Sequence, residues 1–307
     1  MTLTDLRYIV TLARERHFGR AAEKCCVAQP TLSVAVKKLE EQLGVALFER
    51  GAEVTVTPIG EQIVAQAARV LAEAGRISEL AAQGRDPLSG PLRIGVIYTI
   101  APYLLPKLVP LLRERAAQMP LVIQEGFTEK LVEAVKAGDL DVIIIALPLA
   151  EPGLVAQPVY DEAFRALMPA DHAWVKQKAI EPAALLDEPL LLLGAGNCFR
   201  DQVLDLCAHA SSPHAPQVLE GSSLETIRYM VASGIGVSVM PASCADLIPK
   251  NDALLRVRPF VEPTPTRCVG LVWRTSFPRH KAIDLLRKAL HDCRLPGTRP
   301  VGKINNQ

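Results

Sequence analysis

Two cysteines nine positions apart, Cys198 and Cys207, are the residues of this sequence whose type and spacing point most directly to chemistry. Thiols can be oxidised to disulfides, but a disulfide requires Cα atoms within about 7 Å of each other. The segment 199–210 has helical apolar spacing, and nine residues of helix would hold the two cysteines roughly 13 Å apart along the axis. We therefore expect this pair to bond only if the helix comes apart, which would make its oxidation a conformational event.

The remaining cysteines of the chain show no comparable pattern. None of the seven cysteines belongs to a CxxC pair, and none has histidines nearby in the arrangement of a zinc site, so we expect neither a metal nor a cofactor. In a reducing cytosol an isolated cysteine usually behaves as a small buried hydrophobic residue. We expect this of Cys25, Cys26, Cys244, Cys268 and Cys293.

Length and composition indicate a globular protein of two or three domains. The chain has 307 residues, of which 49% are apolar and 22% charged. The longest apolar run, 142–150, is too short to cross a bilayer, and Asp5 and Arg7 interrupt any signal-peptide core. We expect a cytoplasmic protein without a membrane partner. Because the net charge is only +1, DNA binding would need a local basic patch and dimerisation.

The first 56 residues have the pattern of a helix-turn-helix followed by a small wing. Apolar spacing predicts three helices, at 4–16, 18–26 and 30–43. We expect Thr4 to cap the first helix, Pro30 to lie in the first turn of the third, and Gly44 to end it. The buried stripe predicted for the third helix is Leu32, Val36, Leu39 and Leu43. The alternating segments 47–50 and 54–56 are typical of the two strands of a wing.

The outer face of the third predicted helix carries small polar and basic groups, as a DNA-reading helix does. Candidates for contacts with base edges or phosphates are Gln29, Thr31 and Ser33, and Pro30 belongs to the same DNA-binding set. Candidates for contacts with phosphates are Arg20, Lys37, Lys38 and Arg50. The alternative for any one of them is a solvated polar group with no part in binding.

A long helix follows the wing, with Thr57 as its N-cap and Pro58 in its first position. Apolar residues recur at spacings of three and four as far as Ala81, with little else in the sequence for them to pack on. This favours a dimerising coiled coil, although the helix could instead lie on its own domain. A dimer would place two DNA-reading helices in successive major grooves, so the expected target is roughly palindromic double-stranded DNA.

Beyond a glycine- and proline-containing linker at 84–91, strands and helices alternate. The expected strands are 92–97, 121–126, 141–146, 190–193, 237–240 and 269–273. The expected helices are 101–115, 128–137, 199–210, 224–233 and 278–293. Strands as apolar as 142–145 are buried on both faces, which favours a parallel sheet in an α/β layer. Two such units, joined near Asp161 and Pro263, would leave a ligand cleft between two lobes.

Together these motifs resemble those of LysR-type transcriptional regulators. The resemblance rests on residues 18–23 (FGRAAE), 29–33 (QPTLS), 39–44 (LEEQLG), 47–50 (LFER) and 57–60 (TPIG), and it then runs the length of the chain. It implies an α/β fold class with an N-terminal winged helix-turn-helix, a long linker helix and a two-lobed regulatory domain like that of periplasmic binding proteins. The implied domains are 1–58 for DNA binding, 59–86 for the dimerisation helix and 91–300 for regulation. The lobes would comprise 91–162 with 268–300, and 163–267.

The regulatory half is similar to the peroxide-sensing branch of that family, through segments 97–106, 196–207, 223–226 and 270–274. This similarity implies that Cys198 is the peroxidatic cysteine and Cys207 the resolving one. Around the peroxide pocket it implies polar side chains at Thr99, Thr128 and Arg267. The family commonly has histidine before the peroxidatic cysteine, where this chain has Asn197. Asparagine forms hydrogen bonds but takes up no proton near neutral pH, so we expect it to line the pocket without an acid–base role.

The resemblance also implies the partners of the protein. Hydrogen peroxide would be the signal, and promoters of antioxidant genes, activated or repressed, would be the targets. RNA polymerase would be a further partner. Dimers formed through the linker helix would assemble into homotetramers.

The position predicted for Cys198 suits reaction with peroxide, which requires a thiolate. A residue just before a helix start lies beside unpaired backbone amides and the positive end of the helix dipole, and both favour an anion. Arg200 could add positive charge there or point to solvent. The expected sequence is oxidation of Cys198 to a sulfenic acid, followed by attack of Cys207 to form a disulfide and release water.

Three functions remain open at this point. The first is a peroxide-responsive transcription regulator. The second is a regulator of the same architecture that responds to a small organic effector in the cleft, with the two cysteines incidental. The third is a thiol peroxidase, an enzyme for which the helix-turn-helix would have no purpose; we expect a non-enzymatic protein.

Overall fold

The computed structural model describes residues 1–50, 54–83, 86–208 and 218–301. Within these ranges it describes only the backbone of Arg50, Ala72, Arg76, 78–83 and Ala208. The chain divides into two compact units, Met1–Arg85 and Asp86–Gln307. None of the helices in the described ranges combines the length and the apolar character needed to cross a membrane.

The first unit is a winged helix-turn-helix followed by a long helix. Its elements are α1 (Leu3–Glu15), α2 (Phe18–Lys24), α3 (Gln29–Leu43), β1 (Phe48–Arg50), β2 (Val54–Val56) and α4 (Pro58–Gln83). Strands β1 and β2 pair antiparallel as the wing. The core lies between the helices and includes Leu6, Ile9, Leu12, Leu32, Val36, Leu39 and Leu47.

Three local predictions for this unit are wrong in detail. The N-cap of α1 is Thr2, whose hydroxyl accepts from the Asp5 amide while the Asp5 carboxylate accepts from the Thr2 amide, so Thr4 already lies within the helix. Leu43 does not complete the buried stripe of α3, because the last turn of the helix leaves it exposed. Cys26 is exposed rather than buried, since α2 ends before it and its backbone is left-handed.

Helix α4 begins as predicted, because the Thr57 hydroxyl accepts from the Gly60 amide and Pro58 occupies the first position. Its first half packs on the helix-turn-helix through Ile63, Val64, Ala67 and Leu71. The alternative of a helix lying on its own domain therefore describes this part of α4. The side chains of Leu80 and Ala81, predicted to continue the apolar stripe, lie outside the described residues, as do residues 84–85 of the predicted linker.

The second unit is built on a ten-stranded mixed sheet. Its strands are β3 (Leu92–Ile97), β4 (Leu121–Gly126), β5 (Val142–Leu147), β6 (Leu154–Pro169), β7 (Leu190–Leu193), β8 (Val218–Gly221), β9 (Val237–Pro241), β10 (Leu255–Pro259), β11 (Thr266–Arg274) and β12 (Thr298–Pro300). Its α-helices are α5 (Ala101–Arg115), α6 (Thr128–Ala137), α7 (Cys198–Ala208), α8 (Leu224–Ala232), α9 (Ala242–Ala245) and α10 (His280–Asp292). Residues 209–210, predicted to end α7, lie outside the described residues.

The strand order is β4-β3-β5-β11-β6-β9-β7-β8, with β10 and β12 also paired to β6. At each end the strands are parallel, β3 with β4 and β5, and β7 with β8 and β9. The long strands β6 and β11 join these parallel groups through antiparallel pairs.

Two separate cores flank this junction. The first core contains buried residues of β3, α5, β5 and α10, and the second contains those of β7, α7, α8 and β9. Strand β6 contributes to both cores, with Val159 and Tyr160 in the first and Phe164, Ala166, Leu167 and Met168 in the second. The sheet is therefore continuous while the hydrophobic packing is divided into two lobes.

Candidate functional site

Helix α7 begins at Cys198 itself, one residue earlier than the sequence predicted. The chain leaves β7 at Leu193 and turns through Gly196, whose φ of +87° favours glycine. The Asn197 side chain stabilises this turn by donating to the Gly194 carbonyl at 3.0 Å. The thiol is thereby held in the first turn of a helix, where backbone amides have no partner within the helix.

The Cys198 thiol is half-buried in a small recess between β3, β4 and α7. The Thr128 hydroxyl, at the start of α6, lies 3.6 Å from the Cys198 sulfur and can donate to it. The recess has a cavity volume of about 10 Å³ and is lined by Ile97, Tyr98, Thr99, Gly126, Phe127, Thr128, Gly196, Asn197 and Cys198. Thr99, Thr128 and Asn197, all predicted from the sequence, thus come together around the sulfur.

Arg267 lies behind the recess and is not one of its lining residues. Its guanidinium is buried and forms an ion pair with Glu162, with Nη2 2.7 Å from a carboxylate oxygen. It also donates to the Thr99 hydroxyl at 2.8 Å and to the Thr99 carbonyl at 3.2 Å. Arg267 therefore positions Thr99, a different role from the direct lining of the pocket that the sequence predicted.

Glu162 is a buried carboxylate that sequence analysis did not single out. It lies near the middle of β6, where the strand passes from the first core to the second. Besides the ion pair with Arg267, it accepts from the Ser243 amide at 2.9 Å at the start of α9. Glu162 follows another acidic residue, Asp161, in a segment that was not predicted as a strand, so nothing in the sequence distinguished it from a surface group.

Phe199 joins this buried ion pair to the helix that carries both cysteines. The Arg267 guanidinium carbon lies 5.3 Å from the centre of the Phe199 ring, within cation–π range. The same ring contacts Phe164 edge-to-face at 5.2 Å. The first turn of α7 is therefore fixed both to the ion pair and to the second core.

Cys207 lies at the other end of α7 and faces a different environment. It is buried in the second core, whereas Cys198 packs against the first. Burial raises the pKa of the Cys207 thiol above its ordinary value, which favours the neutral form. Nine residues of helix hold the two Cα atoms roughly 13 Å apart, and all seven cysteines are free thiols in this structure.

Arg200 does not point at the Cys198 sulfur. Its guanidinium donates to the Glu220 carboxylate at 2.7 Å and to the Leu193 carbonyl at 2.9 Å. The side chain therefore ties the start of α7 to β7 and β8 instead of pointing freely to solvent.

The predicted DNA-reading face of α3 is open to solvent. Its exposed members are Gln29, Pro30, Thr31, Lys37 and Lys38, whereas Ser33 is half-buried. Lys37 lies 3.8 Å from Glu41, and Arg20 on α2 donates to the Glu15 carbonyl at 2.7 Å. The Arg50 side chain lies outside the described residues.

Val34 was missed by the sequence analysis and lies on the same face of α3. It is 66% exposed, four residues after Pro30 and three after Thr31. An exposed methyl-bearing side chain on such a helix suits contact with a thymine methyl group. The sequence signal for it is an apolar residue that lies outside the buried stripe formed by Leu32, Val36 and Leu39.

The remaining cysteines differ in their environments. Cys244 and Cys293 are buried, as expected, whereas Cys25 and Cys268 are half-buried. Burial raises the pKa of Cys244 and of Cys293 to about 11, so both thiols are neutral at physiological pH. The expectation of burial is correct for two of the five and wrong for Cys26.

Two family models match the chain. Residues 3–61 match the bacterial regulatory helix-turn-helix protein, lysR family, and residues 85–293 match the LysR substrate binding domain.

Among curated proteins, the chain is 38% identical over 291 residues to the DNA-binding transcriptional dual regulator OxyR of Escherichia coli (strain K12), covering 94% of this chain and 95% of that protein. It is 37% identical over 293 residues to the hydrogen peroxide-inducible genes activator of Pectobacterium carotovorum, covering 95% and 96%.

Among solved structures, a full-length OxyR cysteine variant from Pseudomonas aeruginosa is 52% identical, with 99% of each chain covered and a TM-score of 0.73. A hydrogen peroxide-bound OxyR cysteine-to-serine mutant from Corynebacterium glutamicum is 35% identical, covering 95% of this chain and 92% of that one with a TM-score of 0.66.

Proposed function

The chain belongs to the LysR family of bacterial transcriptional regulators, and we propose that it senses hydrogen peroxide through Cys198 and Cys207. The observation that carries this proposal is the placement of the Cys198 thiol at a helix start, 3.6 Å from the Thr128 hydroxyl, in a recess of about 10 Å³. The likeness to peroxide-responsive relatives supports the same function.

The size of the recess favours peroxide over a larger organic effector. Pockets for small organic ligands usually enclose about 300–1,000 Å³. Two surface grooves, of about 420 and 340 Å³, reach that range; they are lined by residues of β6, β10 and β12, and neither includes Cys198. A small recess beside a thiol, with hydrogen-bonding groups at Thr99, Thr128 and Asn197, matches a reactant of two oxygen atoms.

In the first step the Cys198 thiolate attacks one peroxide oxygen. A sulfur–oxygen bond forms, the oxygen–oxygen bond breaks, and the leaving hydroxide takes up a proton to become water. The Thr128 hydroxyl donates to the anionic sulfur, and Thr99 and Asn197 offer further hydrogen bonds to the peroxide. Arg267 contributes by fixing Thr99, since its charge is already paired with Glu162.

In the second step the Cys207 sulfur attacks the sulfenic sulfur of Cys198, and water leaves as the disulfide forms. The helix holds the cysteines too far apart for this bond, so α7 must unwind. Unwinding removes Phe199 and Val203 from the second core and ends the contact of Phe199 with Arg267. Oxidation would thereby be converted into a rearrangement of the lobe.

The partners of the protein follow from the same proposal. We infer that α3 binds roughly palindromic double-stranded DNA, with Pro30 in the contact surface and Gln29, Thr31 and Ser33 toward base edges or phosphates. Lys37 and Lys38 of the same helix, with Arg20 of α2 and Arg50 of β1, would contact phosphates. The exposed Val70 and Ile77 of α4 are available to a second copy of the chain. Assembly into a homotetramer and contact with RNA polymerase complete the proposal.

The domain boundaries proposed for this assembly are 1–58 for DNA binding, 59–86 for dimerisation and 91–300 for redox sensing. The division of the hydrophobic packing between two cores supports lobes of 91–162 with 268–300, and of 163–267.

The experiment that tests this function compares Cys198→Ser with the wild-type chain on a DNA site selected from a random pool. DNase footprints are recorded before and after one equivalent of peroxide. We expect the wild-type footprint to change and that of Cys198→Ser to stay constant with its basal affinity retained. Cys268→Ser, which replaces another half-buried thiol, should behave like the wild type.

Two results would contradict the proposal. A peroxide-dependent footprint in Cys198→Ser would assign the sensing to another group. Sustained turnover of peroxide in the presence of a thiol reductant, at a rate typical of peroxidases, would favour the enzyme instead.

A further inference from the structure

The larger of the two surface grooves, of about 420 Å³, carries a cluster of cationic side chains. It lies between the carboxyl half of β6, the end of α9 with the loop that follows it, and β10, all within the second lobe. We call it the cationic groove. Its charged lining residues are the cations Arg165, Lys250, Arg256 and Arg258 and the carboxylate Asp246.

One of these cations is neutralised within the groove. The Arg165 guanidinium binds Asp246 through two hydrogen bonds, from Nε to Oδ1 at 3.0 Å and from Nη2 to Oδ2 at 3.1 Å. Lys250, Arg256 and Arg258 form no ion pair with any residue that the structure describes. The groove therefore has an excess of three positive charges.

Backbone carbonyls hold the two unpaired arginines in place. Arg258 donates to the carbonyls of residues 175 and 177 at 2.7 and 2.9 Å, and Arg256 donates through Nη1 to the carbonyls of Asp252 and Leu255. A carbonyl fixes a guanidinium without cancelling its charge. The Nε and Nη2 hydrogens of Arg256 have no partner among the described residues, so they are free to donate to a ligand.

The second groove, of about 340 Å³, shows that this charge excess is local. It shares Arg165 with the cationic groove, and its other charged lining residues are Arg299, Asp161 and Glu262, so its cations and carboxylates are equal in number. The cationic groove instead combines its excess charge with apolar side chains, those of Ile248, Pro249, Val257 and Pro259.

We propose that the cationic groove binds a small organic anion with at least two negative charges on a compact apolar body, either a phosphate ester or a polycarboxylate. Its volume falls in the range of about 300–1,000 Å³ that is usual for small-ligand pockets. Phosphates and carboxylates both accept the paired hydrogen bonds of a guanidinium. Hydrogen peroxide is uncharged, and Cys198 does not line the groove, so this site is independent of the proposed redox function.

The test is isothermal titration calorimetry on the reduced full-length chain with two charged probes. ADP represents the phosphate esters and is compared with adenosine. Benzene-1,3-dicarboxylate represents the polycarboxylates and is compared with the neutral benzene-1,3-dicarboxamide. We expect at least one charged probe to bind and its neutral counterpart to bind at least about tenfold more weakly, with an affinity that falls as sodium chloride is raised. The probe that binds identifies which of the two kinds of anion the groove takes.

Two variants place the binding in the groove. Arg256→Ala removes a guanidinium with free donors and should weaken binding roughly tenfold, as loss of a charge-assisted hydrogen bond would. Lys250→Ala should weaken it about threefold or more, and it leaves the fold unchanged because Lys250 is exposed and has no hydrogen-bond partner among the described residues.

Two control variants remove cations elsewhere and should keep the wild-type affinity. Arg299→Ala makes the same change as Arg256→Ala in the charge-balanced second groove. Lys38→Ala removes an exposed cation from α3, where a phosphate probe could occupy the predicted DNA-binding face.

Three results would overturn the inference. The first is that neither charged probe binds more tightly than its neutral counterpart. The second is that both Arg256→Ala and Lys250→Ala keep the wild-type affinity. The third is a loss of affinity confined to Lys38→Ala or Arg299→Ala, which would place the anion at another surface. Cys198→Ser should bind the charged probe like the wild type, so failure of the redox function leaves this inference standing.

Discussion

The buried ion pair of Glu162 with Arg267 provides the sharpest test of how the two lobes are joined. Both side chains are almost fully buried, with 1% and 0% of their surfaces exposed. Replacing Glu162 by glutamine keeps the shape of the side chain but leaves the guanidinium charge buried without a counter-charge. Breaking a buried pair from one side costs about 3–5 kcal/mol, and we expect Glu162→Gln to lower the free energy of unfolding of the regulatory unit by that amount.

The assay is urea denaturation followed by tryptophan fluorescence. Trp273 is buried in the first core and Trp174 in the second, so the emission reports on both lobes. The matched control is Glu133→Gln, the same substitution in a solvent-exposed pair with Lys130 on α6. That change should cost less than about 0.5 kcal/mol, since exposed pairs contribute little.

A double variant distinguishes the missing charge from a general loss of packing. Glu162→Leu with Arg267→Met removes both charges and replaces them with apolar groups. It should recover part of the loss, although the Ser243 amide and the Thr99 hydroxyl lose a partner. A cost below about 1 kcal/mol for Glu162→Gln would refute the reasoning. So would a double variant as unstable as the sum of Glu162→Leu and Arg267→Met, each measured alone.

Three further predictions concern reactivity, DNA binding and pH. Thr128→Val removes the hydroxyl that faces the Cys198 sulfur, so sulfenic acid formation should slow roughly tenfold in a peroxide titration, whereas Thr128→Ser should retain the rate. Lys38→Ala should weaken binding to all DNA sequences about equally and reduce the slope of log affinity against log salt by about 0.9, whereas Gln29→Ala should lower selectivity without changing that slope. Burial raises the pKa of Cys244 to about 11, so its neutral form stabilises the fold below the ordinary thiol pKa of about 8.5, and this contribution is lost as pH rises toward 11. Urea midpoints between pH 8 and 11 should therefore fall less steeply in Cys244→Ala than in the wild type, and equal slopes would contradict this.

Local patterns predicted most of the elements because they depend on neighbouring residues. The turn before α3, the Thr57 cap of α4 and the alternation after residue 91 all follow from apolar spacing and capping groups. The prediction of a helix-turn-helix followed by an α/β regulatory fold is confirmed because it depended on patterns that span only a few residues. Errors at single positions, such as the prediction of Thr4 instead of Thr2 as the first cap, arose where two nearby candidates had the same chemistry.

The junction between the lobes was harder to predict from the sequence because it depends on contacts between distant segments. Strand β6 was placed only as a crossing near Asp161, and its sixteen residues were not predicted as one strand. Its partners come from β9, β10, β11 and β12, so no local period reveals its length. For the same reason the sequence analysis did not single out Glu162 and predicted the wrong position for Arg267. The hydrogen-bond partners of these two residues lie 81 to 168 residues away in the sequence.

The central claim is that peroxide links Cys198 to Cys207 through unwinding of α7. The most direct measurement is peptide mapping under non-reducing conditions, after one equivalent of hydrogen peroxide has been added to the reduced full-length chain. The proposed mechanism predicts a peptide pair joined through Cys198 and Cys207. A Cys198 disulfide with Cys244 or Cys268, or a Cys198 sulfenic acid that persists without any link to Cys207, would contradict it.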